Sequence, residues 1–161
     1  MSTSVSPVPA GLHTLTPHIV VNDARKAIDF YQRVFGAEVI GVHAMPDGKV
    51  MHAEIKIGDS PIMLNDEFPD WGSPSPTLTK ADTCVRLHLY VPDADRVFNA
   101  AVAAGAQVVM PMADQFWGDR YGQVVDPFGH RWSIATRVKD LTPEEMKAAS
   151  DAAMANMAAQ S

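Results

Sequence analysis

His18-Ile19-Val20-Val21-Asn22-Asp23-Ala24 returns later in the chain as His88-Leu89-Tyr90-Val91-Pro92-Asp93-Ala94. Each copy leads into a helical pattern that stops at a similar phrase, Gly36-Ala37-Glu38-Val39-Ile40 and Gly105-Ala106-Gln107-Val108-Val109. Self-similarity of this kind marks two copies of one structural unit. Two related units can face one another and enclose a cavity, and function is then expected on the strand faces that line it.

Outward from the first phrase, a strand is expected over roughly His13 to Val21. Asp23 can cap a helix from Ala24 to Phe35, with Ala27, Ile28, Tyr31, Val34 and Phe35 as its apolar stripe. Gly36 suits a left-handed stop. Strands follow over Glu38 to Ala44, Val50 to Ile57 and Pro61 to Asp66, around turn signals at Pro46-Asp47-Gly48-Lys49 and Gly58-Asp59-Ser60. The order is βαβββ. The second copy repeats it: a strand over Val85 to Val91, a helix over Asp93 to Ala104 and a strand over Gln107 to Met112. A loop over Ala113 to Arg120 leads to strands near Tyr121 to Val125 and Arg131 to Arg137. The fold class expected is α+β, with paired βαβββ modules whose curved mixed sheets enclose a cavity, plus a C-terminal helix.

The organisation expected is a disordered segment at 1–12, a first module at 13–67, a linker at 68–84, a second module at 85–137 and a helical tail at 138–161. The linker is rich in Pro, Ser, Thr and Asp. In the tail, Thr142-Pro143-Glu144-Glu145 reads as a capping box with Pro at the first helical position. Met146, Ala149, Ala153 and Met157 follow along one side. The helix is expected to pack on the body or on a second subunit, since its stripe is weak and lacks the basic face of a membrane helix.

A unit of ~60 residues is only marginally stable alone, so the 161 residues are expected to share one core or to dimerise. The formal charge is −6 with no block of Lys or Arg, which argues against nucleic acid and anionic membrane as partners. A single cysteine, Cys84, permits no intrachain disulfide and suits a reducing compartment. It precedes an apolar strand, so a structural role is expected ahead of a catalytic one. No secretory or membrane-spanning run is present, and the cytoplasm is the expected location.

Side chains of a strand alternate between faces. Leu15, Pro17, Ile19 and Val21 oppose Thr14, Thr16, His18 and Val20; Val85, Leu87, Leu89 and Val91 oppose Arg86, His88 and Tyr90. Met51, Ala53, Ile55 and Ile57 oppose His52, Glu54 and Lys56, and Trp132 and Ile134 oppose Arg131 and Ser133. With the apolar faces under the helices, the cavity lining is expected to include Thr16, His18, His52, Glu54, Arg86, His88, Tyr90, Arg131 and Ser133. The alternative is a solvated sheet face, ordinary in antiparallel sheets; it is preferred for Lys56. Trp117, in an aromatic loop, offers a platform for stacking a planar ligand.

Ala27-Ile28-Asp29-Phe30-Tyr31 through Phe35-Gly36-Ala37, then His52-Ala53-Glu54-Ile55-Lys56-Ile57-Gly58-Asp59-Ser60, resemble the vicinal oxygen chelate superfamily. Gly105-Ala106 and Asp126-Pro127-Phe128-Gly129-His130-Arg131-Trp132 extend the likeness, which covers about Leu15 to Arg137 and is nearest the glyoxalase, bleomycin-resistance and PhnB-like branch. The resemblance implies homodimers in many relatives, and metal ligands, usually His and Glu, on the first and last strands of each module. Those positions carry Thr16, Arg86 and Ser133 here, with the fourth near Met63. None is an ordinary ligand for a divalent transition metal, and a guanidinium repels a cation. No metal or other cofactor is therefore expected, and no glyoxalase I activity, which needs a metal to polarise an enediolate. His18 and His88 lie two residues further along the same faces, about 6–7 Å away; with Glu54 or His52 they form the alternative, a displaced metal site.

Two functions remain. One is a binding protein for a small planar or anionic molecule held by Thr16, His52, Arg86, Tyr90, Trp117, Arg131 and Ser133. The other is an enzyme of lyase, isomerase or dioxygenase type with His18, His88 and Glu54 as its catalytic groups.

Overall fold

The computed structural model describes residues 5–160. Residues 1–4 of the segment expected to be disordered lie outside them, as does Ser161 of the tail. The chain divides between Thr83 and Cys84 into two compact units, each built on a four-stranded mixed sheet, as the paired βαβββ reading requires.

In the first unit, strands β1 (His18–Val21), β2 (Glu38–Ala44), β3 (Val50–Ile57) and β4 (Ser60–Asp66) lie in the order β1-β4-β3-β2. β1 and β4 are parallel; the other neighbours are antiparallel. Helix α1 (Ala24–Phe35) starts where the Asp23 carboxylate accepts from the Lys26 amide and stops at Gly36, φ 69°. Phe30 joins the expected stripe in the core, edge-on to Tyr31 and Phe35 at 5.6 and 5.9 Å between ring centroids. Ile19, Val21, Ala53, Ile55, Ile57, Ile62 and Leu64 complete that core. Asp66, buried at the end of β4, accepts from the Ala24 amide at 2.7 Å and the Val50 amide at 2.6 Å. One carboxylate thus joins the helix start to the start of β3 and satisfies two backbone donors.

The second unit repeats the plan. Strands β5 (Arg86–Tyr90), β6 (Gln107–Asp114), β7 (Asp119–Val125) and β8 (Arg131–Arg137) lie in the order β5-β8-β7-β6, with β5 and β8 parallel. Helix α3 (Ala94–Ala103) buries Val97, Phe98 and Ala101. Here Thr136 takes the place of Asp66: its hydroxyl accepts from the Ala94 amide at 2.8 Å and donates to the Val91 carbonyl at 2.7 Å. Trp132 is core, and its indole donates to the buried Asp126 carboxylate at 2.8 Å. Asp126 also accepts from the Phe128 and His130 amides, both at 2.9 Å, which shapes the turn before β8. Arg120 on β7 makes a two-pronged bond to Asp95 on α3, both contacts 2.9 Å.

Several expectations are corrected. β1 and β5 begin later than expected, so Leu15 and Val85 stand outside the strands and are 84% and 69% exposed. Met51 is exposed and Val50 buried, because the β2–β3 register shifts between His43 and Ala44. Residues 113–120 are a hairpin end rather than a loop: β6 runs on to Asp114, and a turn closes through the Gln115 amide on the Asp119 carbonyl at 2.8 Å. Cys84 is exposed and takes no part in a core. The segment expected as a linker carries a 3-10 turn (Pro69–Trp71) and the short helix α2 (Pro76–Thr79), with Ser75 fully buried and its hydroxyl donating to Glu67.

The tail forms helix α4 (Pro143–Ala159) with the capping box in place: the Glu145 amide donates to the Thr142 hydroxyl, and the Thr142 amide to the Glu145 carboxylate. No residue of α4 is buried, and Met146, Ala149 and Ala153 of the expected stripe are half-buried. Among the described residues no helix is long and apolar enough to cross a membrane.

Candidate functional site

Each sheet packs one face under its helices and leaves the other polar, and the polar faces hold the expected site residues. In the first unit, the β1-β4-β3-β2 register places His18 beside Met63, Met63 beside Glu54, and His52 beside His43. Asn65, which the sequence reading missed, organises this face. Its amide nitrogen donates to the Asp66 carbonyl at 2.7 Å, so its oxygen accepts from His18 Nε2 at 2.6 Å. That bond sets the His18 tautomer. The His18 and His52 rings meet edge-on at 5.7 Å, and His43 stacks beside His52 at 6.4 Å. Glu54 is half-buried on the same face, and Thr16 lies just ahead of β1.

In the second unit, Arg86, His88 and Tyr90 alternate along β5 and register with Arg131, Ser133 and Ala135 on β8. His88 Nδ1 hydrogen-bonds the Ser133 hydroxyl at 2.7 Å. Ser133 is fully buried, and its hydroxyl orients the imidazole. The partner that the register brings to Ser133 is His88; Arg86 instead donates from Nη1 to the Tyr121 hydroxyl at 3.3 Å. Gln123 donates to the same hydroxyl at 3.0 Å. His88 packs against two aromatic rings, Tyr90 at 4.5 Å and Tyr121 at 5.9 Å.

Asp119, buried at the start of β7, ties the far end of this face together. It accepts from the Tyr90 hydroxyl at 2.8 Å, the Trp117 indole at 3.0 Å and Arg137 Nε at 2.9 Å. The turn that carries Trp117 closes at Gly118, φ 94°, where an added Cβ would stand 2.3 Å from the Lys139 carbonyl oxygen. Trp117 then meets Tyr121 edge-on at 5.4 Å. Asp119, Tyr121 and Gln123 are not among the expected site residues, although their period-2 spacing places them on the face of Arg86 and His88.

Electrostatics on this face favour a neutral imidazole. Burial pushes the His88 pKa down, the Asp119 carboxylate works against that shift, and the Arg86 guanidinium reinforces it; the net direction is below the ordinary imidazole value. Arg131 is half-buried, its Nε is shielded from solvent, and that nitrogen has no hydrogen-bond partner among the described residues.

A family model for the glyoxalase/bleomycin resistance protein/dioxygenase superfamily matches residues 11–134. The chain belongs to this superfamily. The Mycobacterium tuberculosis protein Rv0887c is 47% identical over 137 residues, which are 84% of this chain and 81% of that one. The crystal structure of TioX from Micromonospora sp. ML1 is similar at a TM-score of 0.60 and 26% identity, over 78% of this chain and 99% of that chain. The PhnB protein from Bacillus cereus shares the superfamily fold at a TM-score of 0.63 and 18% identity, over 77% of this chain and 99% of that chain.

Where the superfamily resemblance implies metal ligands, this chain has the Thr16 hydroxyl, the Met63 thioether, the Arg86 guanidinium and the Ser133 hydroxyl. Arg86 and Ser133 are engaged with Tyr121 and His88. That donor set does not fit a divalent cation, which takes imidazole, carboxylate or thiolate. Among the described residues no group of three or more His, Cys, Asp and Glu side chains converges as a metal-binding cluster.

Proposed function

We propose that this chain binds a small, partly planar, anionic molecule on the polar sheet face of its second module, with no divalent metal taking part. The observation that carries the reading is Arg86. A permanent cation, held toward Tyr121, stands at a position that the superfamily resemblance assigns to a metal ligand, so the charge the site invites is reversed. Arg131 adds a second donor fork, and His88 a neutral donor or acceptor. Tyr90 and Trp117, both hydrogen-bonded to Asp119, supply aromatic surface whose orientation is set before a ligand arrives. On the first module Thr16 and His52 are the corresponding candidates.

The test is titration with 2-naphthoate, followed by calorimetry. Saturable binding, unchanged after dialysis against a chelator and weakened in Arg86→Gln, supports the reading. Loss of binding on chelation, or near-stoichiometric Fe, Ni, Zn or Mn in freshly purified protein, overturns it.

A second reading, a metal-independent enzyme, is favoured by His88 itself. Ser133 orients its ring, and the lowered pKa keeps it neutral near pH 7, as a general base requires. His18 and Glu54 are the other acid–base candidates in that case. Intact ligand recovered from the complex supports the binding protein; turnover whose acidic pH limb vanishes in His88→Gln supports the enzyme. We also place the protein in the cytoplasm as a homodimer. An exposed free thiol at Cys84 suits a reducing compartment, and edge strand β2 exposes Val39, Ile40 and Val42.

A further inference from the structure

Arg86 and Arg131 are direct register partners on neighbouring parallel strands, so their Cα atoms stand roughly 4.8 Å apart. Like charges placed opposite one another across strands repel. Among the described residues Arg33 pairs with Asp29, Arg120 with Asp95 and Asp114, and Arg137 with Asp119 and Asp140. Arg86 and Arg131 have no carboxylate partner among the described residues. Arg86 has the neutral Tyr121 hydroxyl. Arg131 has a solvent-shielded Nε with nothing to accept its proton. A buried donor left unmet raises the free energy of the empty site and is satisfied when an acceptor arrives. Asp119, the carboxylate on this face that acts on His88, is already taken by Tyr90, Trp117 and Arg137.

We infer that the arginine pair is a clamp for a doubly charged oxyanion headgroup, such as a phosphate monoester, carried by the planar molecule proposed above. Two positive charges with no internal counter-ion match two negative charges on the ligand. Two forked guanidinium groups offer more donors than one carboxylate can accept, whereas a phosphoryl group presents three oxygens. His88 and Tyr121, next along the same face, are the groups that meet the ligand beyond its headgroup.

This inference rests on the binding reading, and one ligand series separates the two. 2-Naphthyl phosphate, 2-naphthoate and 2-naphthol share a ring and differ in charge. Titrations at pH 7.5 and low salt use the full-length protein, Arg86→Gln, Arg131→Gln and Arg131→Lys, each first checked for native circular dichroism. The phosphate is expected to bind at least about tenfold more tightly than the naphthoate, and each Gln variant to weaken it about tenfold. Arg131→Lys recovers part of the loss, and the preference shrinks as salt is raised. Equal affinity for phosphate and naphthol, or phosphate binding unchanged in both Gln variants, overturns the clamp while leaving a small-molecule site. No binding of any of the three removes the clamp and the underlying reading together.

Discussion

At the scale of single residues, His88 is the group whose environment is most telling. Its pKa is lowered by burial first and by Arg86 next, against the pull of Asp119. The unfolded chain keeps an imidazole near ~6.5, so below that pH the unfolded state binds more protons than the folded one. Stability is therefore undiminished by His88 above about pH 6.5 and falls as acid takes the pH down toward the folded-state value. Two outcomes follow. In a proton NMR titration the His88 ring should change state at a lower pH than a histidine in an unfolded peptide, with the midpoint rising in Arg86→Gln as the repelling charge is removed. The loss of thermal stability between pH 7 and pH 5 should be smaller in His88→Gln than in the parent. A His88 midpoint at or above that of a histidine in an unfolded peptide would contradict the geometry around it.

Elements explain why the face is shaped as it is. The two modules use different chemistry for the same joint, Asp66 in one and Thr136 in the other, each receiving the first helical amide. Strand β7 carries Tyr121 and Gln123 to the site and lies close under α3, and Gly122 between them makes that approach possible. A Cβ there would stand 2.6 Å from Met112 Sδ and 2.9 Å from Phe98 Cε2. The methionine end can move, but Phe98 is core. Gly122→Ala is expected to cost about 1–3 kcal/mol, the range for overpacking, seen as a lower urea midpoint with an unchanged slope. It should also weaken naphthoate binding, because displacing β7 moves the Tyr121 hydroxyl that holds Arg86. Unchanged stability would show that the helix lies further from the strand than it does here.

The whole molecule has two compact units of similar plan, and their outer strands are the surfaces that need covering. β2 and β6 are sheet edges by strand order. β2 exposes Ile40 by 56% and β6 exposes Val108 by 48% and Val109 by 44%; β6 is guarded by Pro111, whereas β2 has no proline, which makes β2 the edge open to a partner. A homodimer that covers β2 predicts that Ile40→Lys shifts the mass measured by light scattering from dimer to monomer without changing the circular dichroism. A parent protein that is monomeric across the micromolar range, or a variant that stays dimeric, rules that surface out.

The repeat, helix α1, strands β2 and β3, strand β8 and the α4 capping box were all legible in the sequence. Each is set by short-range physics: a capping carboxylate or hydroxyl, a glycine stop, and periods of 2 and 3.6. The polar identity of the faces was legible too, since alternation puts His88 with Arg86 and Tyr90. What lay beyond the sequence depends on register. Alternation says which residues share a face but not which stand opposite one another; the parallel pairing of β5 and β8 sets Ser133 against His88 and Arg131 against Arg86. The shift at His43 and Ala44 reversed Met51 and Val50 in the same way. Asn65 and Asp119 look like ordinary turn or strand-end residues until folding encloses them among long-range donors. Local sequence decides what each segment becomes. Which side chains satisfy one another, and which arginines are left without a counter-ion, is decided only when strands distant in the chain are laid side by side.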